Sequence, residues 1–127
     1  RRSFFTDHPE AVVLRAKLAL HGGDQEAIKA RMEELSAKRR ASQPLEMPSA
    51  GSTFKRPEGY FAGTLIEQCG LKGARVGGAE VSRKHAGFVV NAGGATCADV
   101  LALIKKVQDT VFTATGVTLE PEVKIIR

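Results

Sequence analysis

Two short stretches of this 127-residue chain carry the side chains best suited to chemistry. Ser52 lies in Ala50-Gly51-Ser52-Thr53-Phe54-Lys55-Arg56-Pro57, a hydroxyl in a flexible turn with two cations directly behind it. On composition alone that is an ordinary capped turn. As a site, it presents an alcohol together with Lys55 and Arg56 to an anionic ligand. Glu122 stands between Pro121 and the apolar Val123. It reads equally as a surface carboxylate or as a carboxyl buried near a strand, with its protonation perturbed by that burial.

The standard catalytic signatures are absent: no GxSxG elbow, P-loop, GxGxxG, HExxH or EF-hand pattern occurs. His8, His21 and His85 are isolated from one another and from the cysteines, so no metal site is expected. Cys69 and Cys97 fall outside any CxxC or zinc spacing and read as small buried residues in a reducing compartment. Gly70-Leu71-Lys72-Gly73 has the GxxG spacing with which KH domains clamp a nucleic-acid backbone. A KH loop joins two helices, whereas Ala74 onward reads as strand, and one Tyr with no Trp leaves little aromatic surface for stacking bases. Gly70 therefore reads first as a helix cap, and a basic KH-like nucleic-acid module is the alternative reading of the chain.

These residues must be positioned by the elements around them. From Glu10 to His21 apolar and polar residues alternate, with Val12, Leu14, Ala16, Leu18 and Leu20 on one face, as in a half-buried strand. Gly22-Gly23 breaks it, and Asp24 caps a helix running to about Arg40, whose stripe is Ile28, Met32 and Leu35. Residues 41–58 carry Pro44, Pro48 and Pro57 and read as a long functional loop anchored by Leu45, Met47 and Phe54. A short helix is expected over Gly59 to Cys69, with Phe61, Leu65, Ile66 and Cys69 at helical spacing, stopped by Gly70. Strands follow over Arg75 to Val81, interrupted by Gly77-Gly78, and over Phe88 to Asn91. Thr96 with Asp99 forms a capping box for a helix striped by Val100, Leu103, Ile104, Val107 and Val111 and ended by Gly116. Val117 to Ile126 reads as one or two short strands around Pro121, and Arg1 to Pro9 shows no period. The class is α+β, a small antiparallel or mixed sheet packed against about three helices.

A mass of 13.6 kDa holds one real core, too little for a cofactor domain plus a substrate domain. Apolar residues at 43% and charged residues at 26% exclude wholesale disorder. No apolar run is long enough to span a membrane and no signal peptide is visible, so a cytoplasmic protein with no membrane partner is expected. The net charge of +5 favours anionic partners without choosing among them. The chain opens on Arg1-Arg2-Ser3 rather than Met, so its start reflects proteolysis, a chosen boundary or an upstream segment.

In order along the chain, Gln43-Pro44-Leu45-Glu46-Met47-Pro48-Ser49-Ala50-Gly51-Ser52-Thr53-Phe54-Lys55-Arg56-Pro57, Gly70-Leu71-Lys72-Gly73, Gly77-Gly78-Ala79, Lys84-His85-Ala86-Gly87-Phe88 and Leu119-Glu120-Pro121-Glu122-Val123 resemble one family. It is UDP-N-acetylenolpyruvoylglucosamine reductase, of peptidoglycan precursor synthesis, and the likeness runs from about Val12 to the last residue. The resemblance implies a flavoenzyme in which NADPH reduces FAD and hydride then passes to UDP-N-acetylglucosamine enolpyruvate, giving UDP-N-acetylmuramate. By it, Ser52 matches the serine that protonates the substrate carbon, and Glu122 the second catalytic residue, paired with an arginine that this chain lacks. Arg56 and Lys55 match the substrate-holding basic loop, and Lys124 a basic position near flavin and substrate. Gln43, Arg39 and His85 align with polar positions of the same cleft, His85 standing where some members have Gln. The resemblance further implies that residues 1–22 end the flavin-binding region and that 23–127 form the C-terminal substrate-binding domain. No complete FAD site is expected in this chain, which alone should be inactive; no nucleic acid is expected as a partner.

Overall fold

The computed structural model describes residues 3–126. Its elements are α1 (Phe4–Asp7), α2 (Gln25–Ser42), β1 (Ser49–Ser52), α3 (Ala62–Gln68), β2 (Arg75–Val76), β3 (Ala79–Val81), β4 (Phe88–Asn91) and α4 (Cys97–Thr115). The chain divides into two compact units between Met32 and Glu33, inside α2.

In the first unit Phe4 stacks on His8 with ring centroids 4.3 Å apart, and the Ser3 N–H donates to Thr6 Oγ1, closing the single turn of α1. No strand forms over residues 11–24, contrary to the alternation there, and Val12, Leu14, Leu18 and Leu20 are exposed. Alternation states which face of a strand would be apolar, but a strand exists only when a neighbour accepts its ladder bonds. Asp24 does cap α2, its Oδ1 accepting the N–H groups of Glu26 and Ala27 at 2.9 and 3.3 Å. The stripe of Ile28, Met32 and Leu35 is not core: α2 buries no residue.

The second unit holds the core. Four antiparallel strands lie in the order β1-β4-β3-β2, and Leu103, Ile104, Val107 and Val111 of α4 meet Ala79, Val81 and Val89 of the sheet and Leu65 and Ile66 of α3. The class is therefore α+β, as the pattern of elements indicates. The Thr96–Asp99 capping box is formed, and Gly116 ends α4 in the left-handed conformation. Asp99, held by the Thr96 N–H and hydroxyl and by the Gly78 N–H, has its carboxyl below the usual aspartate range. Gly77-Gly78 is a two-residue hairpin turn; a Cβ on Gly78 would lie 2.3 Å from the Gly93 carbonyl oxygen, so only glycine fits.

Three further expectations shift. The segment read as loop contains β1, tolerated among prolines because it is an edge strand whose outer side needs no partner. The expected C-terminal strands shrink to one bridge between Phe54 and Pro121. Of the cysteines, Cys69 is half-buried and Cys97, in the first turn of α4, is exposed, not buried as expected. No helix among the described residues is long and apolar enough to cross a membrane.

Candidate functional site

Ser52 owes its place to a defect in β1. Ser49 pairs with Val90 and Ser52 with Phe88, so three steps on β1 oppose two on β4, and one residue is extra. Gly51, at φ +88°, falls within the resulting bulge. Immediately after it Thr53 is buried and locked twice, its N–H donating to the Gly87 carbonyl at 2.8 Å and its Oγ1 accepting the Val89 N–H at 3.0 Å. The Ser52 hydroxyl is left with a contact of 3.5 Å to the Phe54 carbonyl, at the limit of hydrogen-bond range. It is free to turn toward a ligand.

Glu122 is delivered to the same place by the C-terminal segment. The Glu122 N–H donates to the Thr53 carbonyl at 2.9 Å, and the Lys55 N–H to the Glu120 carbonyl at 2.8 Å, on either side of the Phe54–Pro121 bridge. Pro121, without an N–H, fits the middle of this pairing. Gln108 Nε2 donates to the Leu119 carbonyl at 2.8 Å and ties the segment to α4. Glu122 is exposed, which decides between the two sequence readings in favour of the accessible carboxylate.

Ser52, Arg56, His85 and Glu122 line one cavity of about 390 Å³, shared with Phe61, Gly63, Thr64, Glu67 and Lys84. That is within the range of small-molecule sites. Ser52 and Glu122 also line a second hollow of about 350 Å³ with Ala50 and Val123, so the pair is reached from two sides. Arg56 Nε donates to the Tyr60 carbonyl at 3.3 Å, and its guanidinium carbon sits 3.9 Å from the centroid of the Phe61 ring. The terminal guanidinium N–H groups remain for an anion.

His85 is held by glycines. The Gly87 N–H donates to its Nδ1 at 3.1 Å, so the neutral ring carries its proton on Nε2 and offers a donor there. A Cβ at Gly63 or Gly87 would come within 3.2 or 3.0 Å of His85 Cε1, and Phe88 meets the ring edge-on at 5.0 Å. Lys84, on the cavity wall, pairs with Glu46 at 3.3 Å. Glu46 has its carboxyl held below the usual range, first by its own backbone N–H and then by Lys84.

The other candidates stand outside the cavity lining. Lys55 pairs with Glu120, and Arg39 Nε donates to Gln43 Oε1 at 3.2 Å near the end of α2. Lys124 is exposed beyond Val123. Phe61, Lys84, Thr64 and Glu67 join the cavity without a site signal of their own in residue type or spacing. Lys84 is flagged only by its place in the block Lys84-His85-Ala86-Gly87-Phe88, and Phe61 only by its place in a helical stripe.

The GxxG segment does not form a phosphate clamp. It joins α3 to β2 rather than two helices, and the N–H groups of Gly70, Leu71 and Gly73 are taken by the carbonyls of Glu67, Ile66 and Val81. Lys72 pairs with Glu67 at 2.6 Å, and the Arg83 guanidinium fills the space over Gly73. Among the described residues, no group of three or more His, Cys, Asp or Glu side chains is arranged to hold a metal ion.

Comparison with known proteins fits this geometry. The sequence model of the family "UDP-N-acetylenolpyruvoylglucosamine reductase, C-terminal domain" matches residues 43–126, from Gln43 through both Ser52 and Glu122. A UDP-N-acetylenolpyruvoylglucosamine reductase of Exiguobacterium sibiricum is 57% identical over 92% of this chain and 38% of its own length. One from Agathobacter rectalis is 62% identical over 91% of this chain and 37% of its own. The crystal structure of the Thermus caldophilus reductase superimposes with a TM-score of 0.73 at 39% identity, covering 87% of this chain and 39% of that one. The chain thus spans about two fifths of the length of the curated relatives it matches. With the bulged edge strand, the paired C-terminal segment and the family match all falling on the same residues, the chain belongs to the UDP-N-acetylenolpyruvoylglucosamine reductase family, of which it carries the C-terminal domain.

Proposed function

We propose that this chain is the substrate-binding part of a reductase that converts UDP-N-acetylglucosamine enolpyruvate to UDP-N-acetylmuramate in the cytoplasm, for peptidoglycan synthesis, using FAD and NADPH. The observation that carries the reading is the convergence of Ser52, Arg56, His85 and Glu122 on one cavity. A strand-borne hydroxyl, a carboxylate, a fixed guanidinium and an imidazole donor suit a ligand with phosphates, a carboxylate and a carbon to be protonated.

The described residues do not fit a flavin dinucleotide. A dinucleotide pyrophosphate is commonly held by a glycine-rich turn opening a helix N-terminus, and here the N-termini of the two long helices, α2 and α4, are occupied by the Asp24 and Asp99 carboxylates. FAD, the nicotinamide reductant and the hydride step are therefore assigned to sequence outside this chain, with residues 1–22 as the tail of that region and 23–127 as the substrate domain. This chain's own contribution is position, charge and a proton. Arg56 and the His85 Nε2–H would hold anionic or carbonyl groups of the substrate, with Lys55, Arg39, Gln43 and Lys124 as outer polar contacts. Ser52 would give its hydroxyl proton to the substrate carbon made electron-rich by reduction; an alcohol is a weak acid, but a carbanionic carbon is a far stronger base. Glu122, with an arginine from outside the chain, would stabilise charge developing at the substrate carboxylate.

The test is an amide NMR titration of the chain with the UDP-linked enolpyruvyl sugar. Perturbations gathered at Ser52, Arg56, His85 and Glu122 are expected. Perturbations gathered instead at Gly70 to Gly73 on adding single-stranded RNA, with none at Ser52 on adding the sugar, would overturn the reading in favour of a nucleic-acid module.

A further inference from the structure

Phe61 breaks a local rule. It occupies the N-cap position of α3, where Ser, Thr, Asp or Asn would satisfy a free backbone N–H, and it makes no side-chain cap bond. Nor does the core claim it: the residue is 60% exposed. An apolar ring that neither caps its helix nor packs inside is a local conflict of the kind that folded proteins keep at functional positions.

Its neighbours show what the ring is prepared for. Arg56 lies over the ring, 3.9 Å from guanidinium carbon to centroid, and is anchored by its Nε–H on the Tyr60 carbonyl. Arg56 covers one face of a residue that is otherwise largely exposed, so aromatic surface remains for a ligand. Phe61 and Arg56 line the same cavity as Ser52 and Glu122, and Thr64, one turn into α3, places a hydroxyl on that wall. A rigid aromatic plate backed by a guanidinium, with a hydroxyl close by, is the arrangement that binds planar heterocycles, because every nucleobase offers a π-face.

We infer that Phe61, backed by Arg56, is the stacking seat for the nucleobase of a nucleotide-linked sugar. The inference rests on the function proposed above and adds to it the residue that holds the planar end of the ligand, away from the reacting carbon. Arg56 serves two groups at once in this arrangement. Its π-face rigidifies the plate, and its terminal N–H groups face the diphosphate that connects base to sugar. The seat reads aromaticity more than sequence, so discrimination among bases would fall to hydroxyl and carbonyl groups beside it.

The test uses the 127-residue chain with Phe61→Leu, which keeps an apolar side chain at an exposed position and so leaves the fold intact, verified by its amide spectrum. Two probes are titrated, UDP-N-acetylglucosamine and N-acetylglucosamine 1-phosphate, which lacks the base. The expected result is a loss of about fivefold or more in affinity for the UDP-sugar, in line with measured base–aromatic stacking, with the sugar phosphate unchanged. Saturation transfer from the Phe61 ring protons to uracil H5 and H6 is expected in the unsubstituted chain. UDP-sugar shifts at Ser52 and Glu122 that are unaltered in affinity by Phe61→Leu would overturn the seat while leaving the proposed function standing. Equal weakening of both probes would overturn it too, showing a structural effect of the substitution. Absence of any perturbation at Ser52, Glu122 and Phe61 with either probe would overturn the seat together with the function it rests on.

Discussion

Ser52 is exposed, weakly bonded and carried by a bulge, so its removal should cost chemistry and not stability. In an active enzyme that contains this chain, Ser52→Ala is expected, on the function proposed above, to lower kcat by about 100-fold or more. The melting temperature should barely move, because exposed substitutions usually change stability by less than about 0.5 kcal/mol; a calorimetric shift matching the loss of rate would make Ser52 structural instead. Lys84 offers a second reading at this scale. Its pairing with Glu46 holds a cation on the cavity wall in a partner's grip. Glu46→Gln should free it and tighten an anionic ligand by no more than about fivefold, the most an exposed pair is worth, as isothermal titration would show. Residue pattern alone leaves Ser52 an ordinary turn residue and Glu122 undecided; the resemblance to a family is what gives either a candidate role. Phe61 and Lys84 stayed hidden because their partners are fixed by the fold: the Lys84–Glu46 contact spans 38 residues of sequence. The exposure of Phe61, at a position that fitted a helical stripe, is likewise visible only once α3 is placed.

Where local signals were complete, the elements could be read directly. Helix α4 carries its whole specification in sequence, a capping box, an apolar stripe and a terminal glycine, and it forms over Cys97–Thr115. The stretch from Glu10 to His21 carries half a specification, a face without a pairing partner, and forms no strand. Helix α2 has its cap and a weak stripe but nothing in the described residues that buries it. The α4 cap makes an acid-stability prediction. Asp99 has a folded pKa below its unfolded value of 3.8, so the stability it contributes is present above that value and is lost as pH falls through the lower folded one. Replacing Thr96 by Ala should cost about 1 kcal/mol at neutral pH. Asp99→Asn should flatten the acid limb of the unfolding curve below about pH 4, measured by urea titration across that range. An unchanged acid limb would mean that the cap does not persist in solution.

As a molecule, the chain keeps every buried residue after position 42: none of the described residues up to Ser42 is buried. Residues 43–127 alone are therefore expected to unfold cooperatively, with a melting temperature within about 4–8 °C of the full chain, since such a shift corresponds to only about 1 kcal/mol. Loss of the cooperative transition would show that the core depends on the first unit. Within the core, Leu103→Ala should cost about 2–5 kcal/mol, for Leu103 is fully buried beneath the sheet. The bulge at Gly51 has a consequence for the molecule among its own copies. The outer side of β1 is a sheet edge, and a regular edge strand recruits strands from other chains and seeds aggregates. An extra residue with positive φ interrupts the even spacing of N–H and carbonyl groups that such recruitment needs. Deleting Gly51 would regularise the ladder, turn the residues before it to opposite faces and raise light scattering on storage. The irregularity that presents the Ser52 hydroxyl would then double as a guard against strand addition between crowded copies.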